Sequence, residues 1–358
     1  MSIFDINGNP ITKCCDVFGN AISAVCDING NRLTESWDGL TTEVQTMLDT
    51  AMAYCADYTA ENPQAYAFPL ITDAHLTFGG NEPKYIEHRY PNTWSRMLFL
   101  GDMANNTSAY NTAELDNAVA FMNVPSMNKI VAIGNHELGN WAEGDTLPEE
   151  WYKTLLDPTS VLWGGGDGLI YYSDDETNNV RYIVLDSCTP TYTANGVQLF
   201  TKNQLEWCAS VMESADGKDI IVCNHAMGQS YYLVTDTEKE NSIAATTITN
   251  SNTLSAIINA FISKGTYSVT DDSGISHSHD FSGATGHFIG YFTGHAHQAG
   301  HTDAPGFHKF TAPMLRTTYS GYPQGLSFFI VDRAQKKIVW LICWYADASI
   351  ATYEYSYE

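Results

Sequence analysis

Hydrophobic residues in this chain gather into short unbroken runs that stop at polar turns. In Lys129–Ile133 the run Ile130, Val131, Ala132, Ile133 ends at Gly134, and Asn135, His136 and Glu137 follow at once. It is too short for an ordinary helix and rich in β-branched residues, so it reads as a buried strand. Such a strand delivers its polar trio at the carboxyl edge of a sheet, where open α/β folds keep their chemistry. Gly134 reads as the residue that lets the backbone turn there. Similar runs predict strands at Ala65–Thr72, Met97–Leu100, Arg181–Leu185, Asp219–Cys223 and His287–Thr293. Between them, helices are predicted at Tyr85–Arg96, Thr112–Met122, Pro148–Leu156, Lys202–Glu213 and Asn252–Ser263. This alternation implies an α/β fold with a mostly parallel, covered sheet. After Gly294 the pattern changes, and Gly306–Thr311, Leu326–Asp332 and Lys337–Tyr345 read as antiparallel strands, with Arg333-Ala334-Gln335 as a turn.

Upstream, Thr41–Tyr58 carries Val44, Met47, Leu48, Met52 and Cys55 at the spacing of an amphipathic helix, ended by Glu61-Asn62-Pro63. Ahead of it Asp5-Ile6-Asn7-Gly8-Asn9, Asp16-Val17-Phe18-Gly19-Asn20 and Asp27-Ile28-Asn29-Gly30-Asn31 recur every eleven residues. Asn-Gly between apolar residues is a hairpin-turn signal, so each unit reads as a small β-turn-β element. Three such units make no core alone and call for a partner chain or a neighbouring domain. The expected division is a β-repeat leader or adaptor at 1–33, a helix and linker at 34–64, and the main domain at 65–358. Within the last, 226–286 is rich in Ser, Thr, Tyr and Gly and reads as an insertion over the sheet edge.

A chain of 358 residues can bury a sizeable core without staples. With 17 Lys+Arg against 41 Asp+Glu, a formal charge of -24 repels nucleic acid and anionic membranes. A phosphate site on such a surface must take its positive charge locally, and bound metal ions are the obvious source. The eight cysteines show no CxxC pair, which argues for free thiols over structural zinc or disulfides. MSIFDINGNP has neither the basic start nor the apolar stretch of a secretory signal. No run reaches the ~20 apolar residues of a membrane span. A soluble protein without Sec export is expected, cytoplasmic or carried on a phage particle.

Candidate chemistry collects where the predicted strands end. Asp73 and His75 follow the first as D-A-H; in extended backbone they would face the same side. Gly101-Asp102 ends the second, and one Asp can bridge two cations through its two oxygens. Asn135 offers an amide oxygen, Asn224-His225 an imidazole, and Gly294-His295-Ala296-His297 two more. Oxygen donors mixed with imidazoles suit Mn, Fe or Zn better than Ca or Mg.

The order D-x-H, G-D, G-N-H-E, N-H, G-H-x-H resembles the calcineurin-like metallophosphoesterase family, over roughly Phe68 to His297 and the strands beyond. The resemblance implies a ββ sandwich flanked by helices and a centre of two divalent or trivalent metal ions. It implies that Asp73, His75, Asp102 and His297 hold the first ion. Asp102 would bridge to the second, completed by Asn135, His225 and His295. His136 would face the substrate, stabilising the transition state or protonating the leaving oxygen, with Glu137 as its partner. Many members carry Asp where this chain has Glu137. Two cations about 4 Å apart stabilise attacking and leaving oxygens together and make hydroxide available near neutral pH.

Some family features are missing. Purple acid phosphatases place a Tyr three residues after the bridging Asp, where this chain has Asn105, and protein Ser/Thr phosphatases place an Arg soon after it, where Met103-Ala104-Asn105-Asn106 has none. Without a phosphate-gripping Arg, a singly charged phosphodiester fits better than a dianionic monoester. The expected activity is therefore metal-dependent phosphodiester hydrolysis. The alternatives are a phosphomonoesterase and a tail or cell-surface module that keeps the fold for binding. Asp-x-x-Gly-Asn repeats resemble those heading some phage tail and cell-surface proteins, so residues 1–33 are expected to dock on a particle or make a homo-oligomer. His277-Ser278-His279-Asp280 reads as a solvated loop, His301 and His308 as exposed or core residues, and His88 as a helix residue. Tyr231 and Tyr232, soon after His225, are the first pair to check for substrate contact.

Overall fold

In this computed structural model the described residues are 40–76, 80–105, 110–139, 146–165, 168–189, 198–228, 230–235, 242–243, 248–270, 274, 276–315 and 322–357. The repeat at 5–33 lies outside them. The apolar stripe of the first helix is realised in α1 (Thr42–Glu61), which buries Val44, Met47, Leu48, Ala51, Met52 and Cys55. The Thr41 side chain caps it, accepting from Val44 N–H.

After α1 come β1 (Ala65–Ile71), α2 (Glu82–Arg89), β2 (Met97–Leu100), α3 (Thr112–Met122), β3 (Lys129–Ala132), the single turn α4 (Asn135–Leu138) and α5 (Pro148–Tyr152). Next are β4 (Val161–Leu162), β5 (Tyr171–Asp175), β6 (Val180–Val184), β7 (Gln198–Leu199), α6 (Lys202–Glu213) and β8 (Asp219–Cys223). Then follow β9 (Tyr231–Leu233), β10 (Ser242–Ile243), β11 (Ile248–Thr249), α7 (Ser251–Ile262), β12 (Thr266–Thr270) and β13 (Ser276–Asp280). The last are β14 (His287–Thr293), β15 (Gly300–Thr302), β16 (Lys309–Thr311), β17 (Gly325–Asp332), β18 (Lys337–Trp344) and β19 (Ser349–Ser356).

Six of the strands form one sheet in the order β19-β18-β17-β1-β2-β3, and nine form another in the order β10-β9-β15-β16-β14-β8-β6-β5-β4. β1, β2 and β3 run parallel, as do β6, β8, β14 and β16, with antiparallel strands outside them. The two sheets pack face to face through aromatic rings. Phe68 meets Phe292 at 5.4 Å, Phe329 meets Phe292 at 4.9 Å, and Phe310 meets Trp340 at 5.7 Å. Each fully buried ring of this kind contributes about 1.5–3 kcal/mol. A polar tie crosses the seam as well. The Tyr171 hydroxyl donates to Val131 O (3.1 Å) and accepts from Val131 N–H (2.7 Å), which satisfies backbone groups on the edge strand β3.

Helices cover the outer faces, giving a ββ sandwich flanked by helices. α1 lies against β1, β17 and β18, and α6 and α7 bury Leu205, Cys208, Met212, Ile257 and Phe261 in one core with Val222 and Phe288. Each sheet is thus covered by a sheet on one side and helices on the other, which the strand-helix alternation did not separate. Three local expectations change. The helix expected at Tyr85–Arg96 is α2, which starts around Pro83 and stops before Tyr90-Pro91, because proline disfavours helical backbone in the residue ahead of it. The 226–286 segment does more than cross the sheet edge: its α7 is part of the helical layer, burying Leu254, Ile257, Ile258 and Phe261. Finally, β5 and β19 were not foreseen; β5 alternates buried and half-buried positions and most of β19 half-buried and exposed ones, with polar side chains among them rather than an apolar run.

Candidate metal centre

The carboxyl ends of β1, β2, β3, β8 and β14 converge on one spot. Asp73 and His75 follow β1, Asp102 follows β2, Asn135 opens α4 after β3, His225 follows β8, and His295 and His297 follow β14. The extended backbone expected of D-A-H is absent, and H-A-H is not extended either. Asp73 (φ 52), His75 (φ 42), Asp102 (φ 54), His295 (φ 66) and His297 (φ 58) are all left-handed, a region that costs non-glycine residues roughly 1–2 kcal/mol each. The turns are held by one another. Asp73 N–H donates to Gly101 O (3.1 Å), His75 N–H to Asp102 O (2.9 Å) and Gly294 N–H to His225 O (2.7 Å).

Gly134 is also needed for a different reason than a turn. Its backbone is extended (φ -102, ψ 176), a conformation open to any residue. A Cβ there would run into the carboxylate and backbone nitrogen of Asp102, so the position demands space. Gly294 is similar, with the Thr72 hydroxyl and the Asp73 carboxylate where a Cβ would stand.

The donors form two clusters that share Asp102. In the first, Asp73, His75, Asp102 and His297 bring one ligand atom each within 4.8 Å of the others, and Asp102, His225 and His295 do the same in the second. His75 Nε2 lies 3.1 Å from His297 Nε2, which is 3.3 Å from Asp73 Oδ1. His225 Nε2 lies 3.1 Å from Asp102 Oδ2, 3.2 Å from Asn135 Oδ1 and 3.2 Å from His295 Nδ1. Asp73, His75, Asp102 and His225 are fully or almost fully buried.

These residues fit a cation on the chemistry of the donors themselves. His225 Nδ1–H donates to Leu100 O at 2.7 Å, so in the neutral ring Nε2 carries a lone pair. That lone pair faces a carboxylate, an amide oxygen and another imidazole, an arrangement that suits a bound cation and, in its place, a proton on Nε2. Burial alone would depress the His225 pKa, yet the Asp102 carboxylate beside it raises it to about 10. For Asp102 burial pushes upward, and the imidazoles of His225 and His136 more than offset it, holding the carboxyl well below its usual range. Asp73 Oδ1 is buried without a hydrogen-bond partner, while Oδ2 accepts from Thr72 Oγ1 (2.7 Å) and His295 N–H (2.9 Å).

His136 stands beside the first cluster, its ring 4.5 Å from that of His75 and its Nε2 3.9 Å from Asp102 Oδ2. Its side chain is 19% exposed, so it can meet a ligand from solvent. Glu137 takes a different part from the one expected. Fully buried, its carboxylate accepts from the backbone N–H groups of Asp102 (2.8 Å), Ala104 (2.9 Å) and Gly134 (2.6 Å). It links the Asp102 turn to the start of α4 and has no face to solvent. Thr72, which ties Asp73 to Leu100 O, and Tyr322, which sets its ring edge-to-face on His297 at 5.4 Å, were missed. A signal for Thr72 existed in its place directly before D-x-H; none marked Tyr322. Tyr231 is buried close enough to Asp73 to feel its charge, while Tyr232 beside it is half-buried.

The remaining histidines lie elsewhere. The His277–Asp280 motif is part of β13, paired with β12, rather than a loop: its alternation buries His277 and leaves His279 to meet Glu213 at 3.0 Å. His301 and His308 bond to each other at 3.0 Å, and His308 Nε2–H donates to Ser356 O. The described cysteines Cys55, Cys188, Cys208, Cys223 and Cys343 are free and buried.

No protein-family model and no curated protein matches the sequence. Among solved structures the chain is similar to one described as a 5'-nucleotidase from Staphylococcus aureus, at 15% identity over 74% of this chain and 50% of that one, with a TM-score of 0.42. It is also similar to the phosphopantetheinyl hydrolase of Mycobacterium tuberculosis (11% identity, 72% and 94% of the two chains, TM-score 0.34). Vacuolar protein sorting 29 of Cryptosporidium parvum is similar too (10%, 82% and 99%, TM-score 0.32). The chain spans half the length of the first of these. Among the described residues no helix is long and apolar enough to cross a membrane. In the order of its motifs, and in the strand end that carries each, the chain resembles the calcineurin-like metallophosphoesterases.

Proposed function

We propose that this chain is a metal-dependent phosphoesterase that hydrolyses a phosphodiester at a two-metal centre. The observation that carries the reading is the pair of donor clusters joined through Asp102. Asp73, His75, Asp102 and His297 would hold one ion, and Asp102, Asn135, His225 and His295 the other, with Mn, Fe or Zn best suited to the donors. When bound, such ions supply Lewis acidity and lower the pKa of water so that hydroxide is available near neutral pH. The side chains supply the rest. Asp102 and Asp73 fix the imidazoles about them, and Glu137 holds the Asp102 turn. His136, partly exposed beside Asp102, would donate a proton to the oxygen that leaves, water and diester giving a monoester and an alcohol.

The diester preference rests on charge. Among the described residues the Arg and Lys side chains bonded within the fold serve other ends: Arg96 binds Asp174 O, Lys129 binds Val124 O, Arg181 pairs with Asp174, and Arg333 pairs with Asp219. None is bonded to a member of the donor clusters, which leaves the ions to neutralise the phosphate. The test is turnover of bis-p-nitrophenyl phosphate against p-nitrophenyl phosphate by protein refilled with Mn, with His136→Ala and Asn135→Ala as controls. A diester rate above the monoester rate, lost in both variants, is expected. The reverse ratio makes the protein a monoesterase, and two bound ions without turnover of either ester sinks the enzymatic reading. Docking or oligomerisation through residues 1–33 is part of the same proposal. Deleting Met1–Leu33 and measuring mass by light scattering tests it, an unchanged mass counting against it.

A further inference from the structure

The rings at the metal centre form a connected row. His136 meets His75 at 4.5 Å, His75 meets His297 at 5.0 Å, and His297 meets Tyr322 at 5.4 Å. Each pair is edge-to-face, with interplanar angles of 79°, 84° and 87°. From His75, which is fully buried, the row opens outward: the His297 side chain is 17% exposed and Tyr322 is 40% exposed.

A large apolar side chain exposed by itself needs no explanation. Among the described residues those so exposed are Tyr54, Val161, Leu162 and Tyr322. Tyr54 packs on Tyr58, and Val161 with Leu162 makes up β4 at the end of its sheet, whereas Tyr322 stands on a donor residue. The backbone around it is pinned to the strand that carries Asp73. Gly325 N–H donates to Met314 O (2.9 Å), Leu315 N–H to Thr72 O (3.2 Å), and Tyr345 N–H to Gln324 O (3.0 Å). Tyr231 lies close by, its ring filling the space where a Cβ on Gly300 would stand. Burial first, then the charges of Tyr322 and Asp73, push the Tyr231 hydroxyl pKa up, so the three groups are within reach of one another.

A solvent-facing phenol ring beside the donors offers a flat, uncharged surface to whatever a bound phosphate carries. A formal charge of -24 disfavours a second anionic group on that ligand. An alkyl or puckered group would meet the ring through burial alone, whereas a second flat ring adds offset or edge-to-face stacking to it. Resting on the phosphoesterase reading above, we infer that Tyr322 determines substrate choice, receiving a planar aromatic ring carried by an organic substituent of the phosphoester.

The probes are methyl(phenyl)phosphinate, cyclohexyl(methyl)phosphinate and dimethylphosphinate, which carry a single negative charge and no ester bond to cleave. Calorimetry reads their dissociation constants for the full chain refilled with Mn, and native mass spectrometry counts the ions. The phenyl compound is expected to bind at least about threefold more tightly than the cyclohexyl one and about tenfold more tightly than the dimethyl one. Tyr322→Ala should erase that preference with the ion count unchanged, and Tyr322→Phe should keep it. Equal affinities for the phenyl and cyclohexyl compounds overturn the inference. So does a preference that survives Tyr322→Ala, or binding of none of the three by the refilled protein. Loss of an ion in Tyr322→Ala overturns it too, because Tyr322 would then be a support for His297. Kinetics separate this inference from the reading it rests on. Protein that binds the phenyl compound through Tyr322 yet turns over neither p-nitrophenyl ester fails the phosphoesterase reading alone. Protein that hydrolyses bis-p-nitrophenyl phosphate with a KM unmoved by Tyr322→Ala fails the inference alone.

Discussion

Glu137→Gln separates two accounts of a fully buried carboxylate near the centre. Glu137 Oε2 accepts from Asp102 N–H at 2.8 Å and Gly134 N–H at 2.6 Å, and Oε1 from Ala104 N–H at 2.9 Å. An amide has one oxygen. Set where two donors converge, it turns its NH₂ toward Ala104 N–H, losing one charge-assisted bond and weakening two others. Hydrogen bonds to charged groups contribute about 1.5–3 kcal/mol. Against this, the change removes a carboxylate that burial and the neighbouring Asp102 make costly, which is why its pKa is raised. A net loss of about 2 kcal/mol in unfolding free energy is expected. Because the clamp fixes the turn that presents Asp102, metal affinity should fall about 10–100-fold, the usual effect of removing a group that orients a ligand. The assays are urea unfolding of the metal-free protein, competition with a chelator for bound Mn, and the pH profile of turnover at saturating metal. The brace account expects weaker metal binding with an unaltered pH profile. Unchanged metal affinity together with a displaced profile would refute it and make Glu137 the partner of His136.

Three other expectations follow from the geometry. Asp102→Asn should abolish retention of both ions, whereas His295→Ala should leave the ion of the Asp73 cluster in place; native mass spectrometry counts them, and equal stoichiometry in the two variants would contradict a shared Asp102. Gly134→Ala should cost about 1–3 kcal/mol and weaken metal binding, because its methyl group meets Asp102, and urea unfolding with a metal titration measures both. Lys309 is buried above the Tyr291 ring, and burial pushes its ammonium pKa down from 10.5 to about 7. A depressed folded pKa gives stability that is full above 10.5 and lost as pH falls toward 7, at ~1.4 kcal/mol per pH unit. Lys309→Met should therefore stabilise the protein at pH 7 by several kcal/mol and lose about 2–3 kcal/mol of that advantage by pH 9; a pH-independent difference would show that Lys309 stays charged.

The strands that carry the donors were legible because each is a buried apolar run cut short by a polar turn. Lys129–Ala132 and Asp219–Cys223 are buried at every position, so nothing polar interrupts the signal until the chemistry begins. Their edge neighbours were not legible. Tyr171–Asp175 alternates buried and half-buried positions and Ser349–Ser356 half-buried and exposed ones, and the Ser, Asp and Glu in them read as loop. The donors were named by motif order, which fixes residue types but not backbone shape. Hence D-A-H was read as extended, and Gly134 as a residue chosen for its conformational freedom. Glu137 was assigned to His136 by adjacency, whereas two of its three backbone partners lie on the β2 turn, 33 and 35 residues earlier in the chain. Tertiary closeness of that kind leaves no mark on spacing. Tyr322 shows the same limit, since nothing in Gly321-Tyr322-Pro323 points to His297.

Left-handed backbone at five candidate donors is strain that the surrounding contacts must outweigh, and His295 is the place to weigh it. With φ 66 it is held by its N–H donating to Asp73 Oδ2 at 2.9 Å, a bond that any residue can make. The substitution chosen therefore decides whether backbone or ligand is being probed. His295→Asn and His295→Val both delete the imidazole and should weaken metal binding alike. They differ in the backbone: Asn tolerates the left-handed region, whereas a β-branched residue crowds the adjacent carbonyl. In EDTA, with the ions removed, the Val variant should unfold about 1–2 kcal/mol more easily than the Asn variant. Valine is the more apolar of the two at a largely enclosed position, so burial alone predicts the opposite order. If the two unfold together, or Val is the more stable, the turn is free to relax without metal and the strain is not built into the apo fold. If the expected gap appears, the polypeptide holds the donor turn in its binding shape before any ion arrives, and the cost of organising the centre is met by folding.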